Sequence, residues 1–198
     1  MNLFSNKKNK GFSLIELIVS VAIFTIITSL ILAKHSKFSG TLLLENLAYD
    51  VALSIRKAQV FGLSVREFNT GVSDFDVGYG VHFDSSDDKT YVFFSDTDRE
   101  EDFDADTEVI DTFNLRKGNY IYKFCGVLSD GTQKCSNTGD ITSLDIIFER
   151  PNPEAIIKSN IDADDGLYVS ALITVASSQG TQWNVSTVVT GQISIQKP

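Results

Sequence analysis

Residues 7–20 read KKNKGFSLIELIVS: a basic tip, a glycine, then an apolar run that carries one carboxylate, Glu16. The run continues to residue 33 as FSLIELIVSVAIFTIITSLILA, 22 residues in which Glu16 is the only ionisable side chain. As a helix it is about 33 Å long, enough to cross a bilayer. A charge held in hydrocarbon is disfavoured by roughly 2.5 to 3.5 kcal/mol. Glu16 therefore calls for a partner that offsets this cost.

Lys7, Lys8 and Lys10 precede the run and Lys34 and Lys37 follow it. With the free N-terminus counted, that contrast leans towards an N-terminus inside the cell. A secretory signal has a shorter apolar core and a small-x-small cleavage site. Here Ile31 stands at the relevant spacing before Ala33, and Glu16 interrupts the core. The run is thus read as a retained anchor in preference to a removed signal. The formal charge of the chain is −9, and loss of residues 1–11 leaves 14 basic against 26 acidic side chains, or −12. Such a field repels nucleic acid and anionic lipid at long range, which argues against DNA as a partner.

With 42% apolar and 22% charged residues in 198, the chain has the composition of one folded domain plus an extended element. Beyond Ala33 it stays compatible with helix to about Glu67. Leu44, Leu47, Val51, Ile55, Ala58 and Val65 recur at three- or four-residue steps, with Gly62 on the same stripe. No proline precedes Pro151, so both helical segments can run on, Ser39 and Gly40 being the weakest point. Short β-rich runs follow: GYGVHF (78–83), TYVFFS (90–95), TEVIDTF (107–113), NYIYKFC (119–125) and LDIIFE (144–149). Two longer ones, LYVSALITVA (167–176) and WNVSTVVTGQISIQ (183–196), complete the chain. Turn signals fall at Asp87-Asp88, Pro151-Asn152-Pro153, Asp164-Asp165-Gly166 and Gln179-Gly180. The pattern predicts an α+β fold, a long N-terminal helix whose amphipathic half packs on a mostly antiparallel sheet.

Cys125 and Cys135 bracket GVLSDGTQK, with Asp130-Gly131 as the turn between two strands. In an exported domain they form a disulfide; in a reducing compartment they stand as two core thiols. Enzymatic signals are thin. The histidines are His35, just past the apolar run, and His82, within a strand pattern, and no nucleophile with a base and an orienting group can be drawn. Gly78-Tyr79-Gly80 lacks the third glycine and the helix of a dinucleotide loop. The acidic stretch DTDREEDFDADTE (96–108) alternates Asp96, Asp98, Glu100, Asp102 and Asp104 in the manner of calcium-binding oxygens. A twelve-residue calcium loop starting at Asp96 requires a glycine where Glu101 stands and a glutamate where Thr107 stands. Asp96, Asp98, Glu100 and Asp102 are thus candidate calcium ligands, with a solvated hairpin tip as the alternative.

The heptapeptide GFSLIEL at residues 11–17, after a short basic leader, closely resembles the N-terminal signature of type IV prepilins and type II secretion pseudopilins. The resemblance implies that prepilin peptidase cuts between Gly11 and Phe12 on the cytoplasmic side and methylates the new amine of Phe12. It also implies that the Glu16 carboxylate neutralises the freed amine of a neighbouring subunit entering the filament. LENLAYDVALSIRKAQVFGLSVRE, VGYGVHF, VFFSDTDREEDFDADTEVI and WNVSTVVTGQISI look like the minor-subunit branch that includes the H-type pseudopilin. The proline that many major pilins carry near the end of the apolar run is absent, Ala33 standing there. DNA-capturing relatives place arginines after a glycine near the C-terminus, whereas Gly191 is followed by Gln192, Ile193 and Ser194.

The expected organisation is a basic leader (1–11), a transmembrane and filament-core helix (12–33), an amphipathic helix (34–67) and an exported β-rich head (68–198). The expected function is a non-enzymatic minor pilin or pseudopilin in the cytoplasmic membrane, N-terminus inside, that primes or tips a type IV pilus or type II secretion pseudopilus. Its implied partners are prepilin peptidase, the inner-membrane assembly platform and other pilin subunits. A head that is adhesive or calcium-responsive, through residues 96–108 or the cysteine loop, is the rival reading, and a DNA-uptake pilin, disfavoured by the charge, is the other alternative.

Overall fold

The computed structural model describes residues 11–64, 77–105, 107–161 and 168–198, with residues 33–40 as backbone alone. Among the described residues it has one α-helix, α1 (Leu14–Leu63), and ten strands: β1 (Gly78–Asp84), β2 (Thr90–Asp96), β3 (Val109–Asn114), β4 (Tyr120–Leu128), β5 (Gln133–Cys135), β6 (Ser143–Phe148), β7 (Ile156–Ser159), β8 (Tyr168–Ala176), β9 (Gln182–Val188) and β10 (Ile193–Gln196). The chain divides into two compact units between Ser39 and Gly40.

In the first unit Leu14–Leu32 is long and apolar enough to cross a membrane, and none of it is buried. Its hydroxyls turn back on its own backbone. Ser20 donates to the Glu16 carbonyl at 2.7 Å, Thr25 to Ala22 at 2.9 Å and Thr28 to Phe24 at 2.8 Å. Each bond satisfies a donor that hydrocarbon would leave unpaired.

In the second unit α1 buries Leu44, Ala48, Val51, Ile55 and Ala58 completely. The steps of four and three put them on one face, and burial of each Leu, Val or Ile contributes about 1.5 to 3 kcal/mol. Leu47 packs at the margin of the same core. Val65 and the turn at 164–166 lie outside the described residues. Gly62 extends the stripe because α1 and β6 approach closely there: an added Cβ would run into the Phe148 carbonyl. The contact outweighs the roughly 1 kcal/mol by which glycine disfavours a helix relative to alanine.

The strands form two five-stranded sheets, in the orders β3-β2-β1-β6-β7 and β10-β9-β8-β4-β5. Every pairing is antiparallel. One core unites both sheets and α1, with Phe83, Phe93 and Ile146 from the first sheet and Phe124, Ile173 and Val185 from the second. Polar contacts tie the helix to each. The Ser54 and Tyr91 hydroxyls lie 3.0 Å apart, and the Gln59 amide donates to the Gly191 carbonyl at 3.0 Å.

The architecture is the α+β one expected, but it holds two sheets where the sequence suggests one. The run at 183–196 is also two strands. The Gly191 N–H bonds the Val188 carbonyl at 2.8 Å and Gly191 takes a φ of 81°, so the chain turns between β9 and β10. β5, of three residues, is the second strand expected after Asp130-Gly131, whereas β7, of four, is absent from the sequence reading. Cys125 and Cys135 pair directly across β4 and β5 and are joined by a disulfide. The hairpin turn at Gly131 has a φ of 86°, which glycine adopts without steric cost.

Candidate functional site

The N-terminal site is a helix start. Ser13 precedes α1, and its carbonyl accepts the Glu16 N–H at 3.0 Å and the Leu17 N–H at 3.2 Å. Glu16 lies in the first turn. The partial positive charge of a helix N-terminus favours a carboxylate there by about 0.3 to 1 kcal/mol. Ser13-Leu14-Ile15-Glu16 also has the serine-to-glutamate spacing of a capping box, a local role that the sequence reading did not identify. Phe12 is 77% exposed. Lys7, Lys8 and Lys10 lie outside the described residues.

The acidic segment between β2 and β3 is organised by its two ends. Asp96, fully buried, accepts the Arg99 N–H at 2.7 Å and the Glu101 N–H at 3.1 Å. Glu108, also buried, accepts the Thr97 N–H at 2.6 Å and the Asp104 N–H at 2.9 Å. The Ser95 N–H to Glu108 carbonyl bond at 3.0 Å closes the base of the loop. Arg99 and Glu101 take φ values of 68° and 60°, in the left-handed region that non-glycine residues rarely occupy.

Of the candidate calcium ligands, the structure brings together Asp96 and Asp98, and it adds Glu108: one carboxylate oxygen of each lies within 4.8 Å of the others. Glu100 and Asp102 are outside that group. Glu100 instead gives its carbonyl to the Lys158 ammonium at 3.0 Å. Burial raises the Asp96 carboxyl to about 6 in spite of its two N–H donors, and the nearby Glu108 charge adds to the rise. Two oxygens on opposite sides of a calcium ion are about 4.8 Å apart, so the three carboxylates are close enough to share one ion. A divalent cation would counter the Glu108 charge and favour the ionised Asp96 carboxylate.

The loop folds back over the outer face of the first sheet. Phe103 lies over His82, with ring centres 4.3 Å apart, and edge-on to Phe94 at 5.1 Å. Phe94 in turn fills the space beside Gly80, where an added Cβ would come within 2.6 Å of its ring. That close approach accounts for the glycine of GYG. His82 Nδ1 is 2.6 Å from Asp145 Oδ1, its partner across β1 and β6. Burial pushes the Asp145 carboxyl up, opposed by its hydrogen bond to His82. Lys158, opposite Asp145 on β7, also pairs with Glu101 at 3.4 Å. His82 is thus partnered and covered by an aromatic ring.

The described residues combine an apolar N-terminal helix long enough to cross a membrane, a glutamate in its first turn, and a disulfide-bonded antiparallel head, an α+β pilin-like fold. Residues 6–32 match the family model of the prokaryotic N-terminal methylation motif, and the chain therefore carries the type IV prepilin signature. The match covers the N-terminal segment alone. No curated protein and no solved structure matches the chain.

Proposed function

We propose that the chain is a minor pilin or pseudopilin that primes or tips a type IV pilus or a type II secretion pseudopilus. The observation that carries this reading is the methylation motif set directly on an exposed apolar helix with Glu16 in its first turn. Prepilin peptidase cuts between Gly11 and Phe12 and methylates the amine of Phe12. Before assembly the chain spans the cytoplasmic membrane with its N-terminus inside and its head exported. In the filament, apolar residues 12–33 exchange lipid for neighbouring helices, and Glu16 sets the stagger by pairing with a neighbour's amine. The motif supports a pilin subunit; the acidic head supports the minor assignment. Quantitative mass spectrometry of sheared filaments is expected to find this subunit at a few copies per filament. A stoichiometry equal to that of the bulk subunit overturns the minor assignment.

A second reading, a calcium-responsive head, is favoured by the grouping of Asp96, Asp98 and Glu108. Calorimetric titration of the full chain with calcium should then release or absorb heat, and the melting temperature should rise with calcium concentration. A flat titration at millimolar calcium removes this reading.

A further inference from the structure

The two sheets end in four edges, and three of them are managed in ways that discourage a further strand. β5 has three residues. β7 has four and carries Lys158, which straps the acidic loop through Glu100 and Glu101. β10 has four and runs into Lys197 and Pro198.

β3 is different. It is six residues long, holds no lysine, arginine or proline, and exposes Val109 at 47% and Ile110 at 43%. It pairs with β2 alone. The Leu115 N–H bonds the Lys89 carbonyl at 2.7 Å, so alternation along an antiparallel pair turns the backbone groups of Phe113 and Asp111 towards β2. Those of Thr112 and Asn114 then face outward. The register shift between Phe93 and Phe94 confines the irregularity to the other end of the strand.

Beside this edge, α1 and β3 enclose a cleft of about 500 Å³ lined by Leu47, Leu53 and Phe113, with Asp50 on the helix and Asp111 on the strand. Among the described residues neither carboxylate has an ion-pair partner. Lys57 also lines the cleft, but its ammonium sits 4.2 Å from the centre of the Phe93 ring. Tyr91, in the same cleft, is pushed up to about 12, chiefly by burial, and the charges of Asp50 and Asp111 contribute to the rise. The cleft lining thus joins apolar side chains to two carboxylates and one ammonium, the ammonium being held over an aromatic ring.

We propose that β3 and this cleft receive an extended, basic segment of another subunit, which adds a strand at Thr112–Asn114 and places a lysine or arginine between Asp50 and Asp111. Main-chain bonds give such an addition its affinity, and the side-chain pocket gives it specificity. Charge selects the occupant. A second copy of this chain, with its net charge of −9, would bring acidic surface to acidic surface, and a β3-to-β3 pair would set Asp111 near Asp111. The identity of the partner as a subunit rests on the proposed pilin function; the strand addition and its charge rule rest on the head.

The test is a photo-crosslinking residue at Thr112 of the full chain in the cells that make it, with one at Tyr122 on β4 as the control surface. The expected product is a Thr112-specific adduct to a different polypeptide, mapped by mass spectrometry to a segment with lysine or arginine within about two residues in the extended register. The double change Asp50→Lys and Asp111→Lys should lower its yield at least about tenfold, as expected for loss of a charge pair at an interface. The single change Asp111→Asn, which alters volume little, should lower it less. A self-adduct, an adduct to a segment without a basic residue, no adduct, or a yield unchanged by charge reversal overturns the proposal. Cleavage after Gly11 is read on the same gel, so failure of the pilin reading shows as an uncleaved band whatever the crosslink does.

Discussion

Gly11→Val leaves the chain at precursor length: on a gel of cell membranes the shorter, processed band is lost and the longer one accumulates. The structure separates this effect from folding. An added Cβ at Gly11 meets nothing within 4 Å among the described residues, and Gly11 does not take a left-handed φ. Neither packing nor conformation within the chain requires glycine there. On the proposed function the requirement comes from the peptidase, which must bring the scissile backbone close at a membrane surface where a side chain has no room. One misplaced methylene in a tight pocket costs about 10- to 200-fold in rate, so the branched valine should slow cleavage by on the order of a hundredfold or more. Gly11→Ala should fall between the two. The head is unaffected, which retention of the Cys125–Cys135 disulfide in the uncleaved band would verify. A normal yield of the mature band with valine present refutes cleavage after Gly11.

The N-terminal site is legible in the sequence because its information is local. A methylation motif, an apolar run and a lone glutamate are contiguous, and no other part of the chain is needed to read them. The helix stripe is legible for the same reason: period alone selects Leu44, Val51, Ile55 and Ala58, and all four are fully buried. Gly62 is visible on the stripe, but its cause is not, since Phe148 lies far along the chain.

Partner choice between strands is non-local, and here the sequence stops being informative. Alternation marks each long strand but does not say that β1 lies between β2 and β6, or that β8 joins β4 to β9 in a second sheet. The pairing of His82 with Asp145 follows from that arrangement and has no sequence signature. The turn between β9 and β10 is hidden because Val188, Val189 and Thr190 are β-formers that continue the strand pattern up to Gly191. In the acidic segment the regular alternation of aspartate and glutamate directs attention to Asp96 through Asp104. The loop is held by its ends, where Glu108 enters β3 and faces the end of β2. Glu108 stands at the start of the β-rich run TEVIDTF, a position that a helix-flanked calcium loop does not predict.

Replacement of Glu16 decides between its two roles. As a first-turn residue the carboxylate contributes about 0.3 to 1 kcal/mol to α1, less than the roughly 2.5 to 3.5 kcal/mol that a charge costs in hydrocarbon. Local capping therefore does not offset the cost of an ionised Glu16 in an apolar run; a second charge would, as would a carboxylate that reaches the membrane surface or carries a proton. On the proposed function that charge is the amine of Phe12 on a neighbouring subunit, created only when Gly11 is removed. Glu16→Gln keeps a side chain that can serve a capping box but carries no charge, whereas Glu16→Ala removes both. An ion pair broken from one side leaves the other charge buried and costs about 3 to 5 kcal/mol. Both variants should therefore enter filaments at least about a hundredfold less well than the parent chain, while both are still cleaved after Gly11. Immunoblots of sheared filaments against total membranes measure the two steps separately. If Glu16→Gln incorporates normally and only Glu16→Ala fails, the residue acts as a helix cap and the intersubunit pair is wrong. Normal incorporation of both removes any assembly role for Glu16.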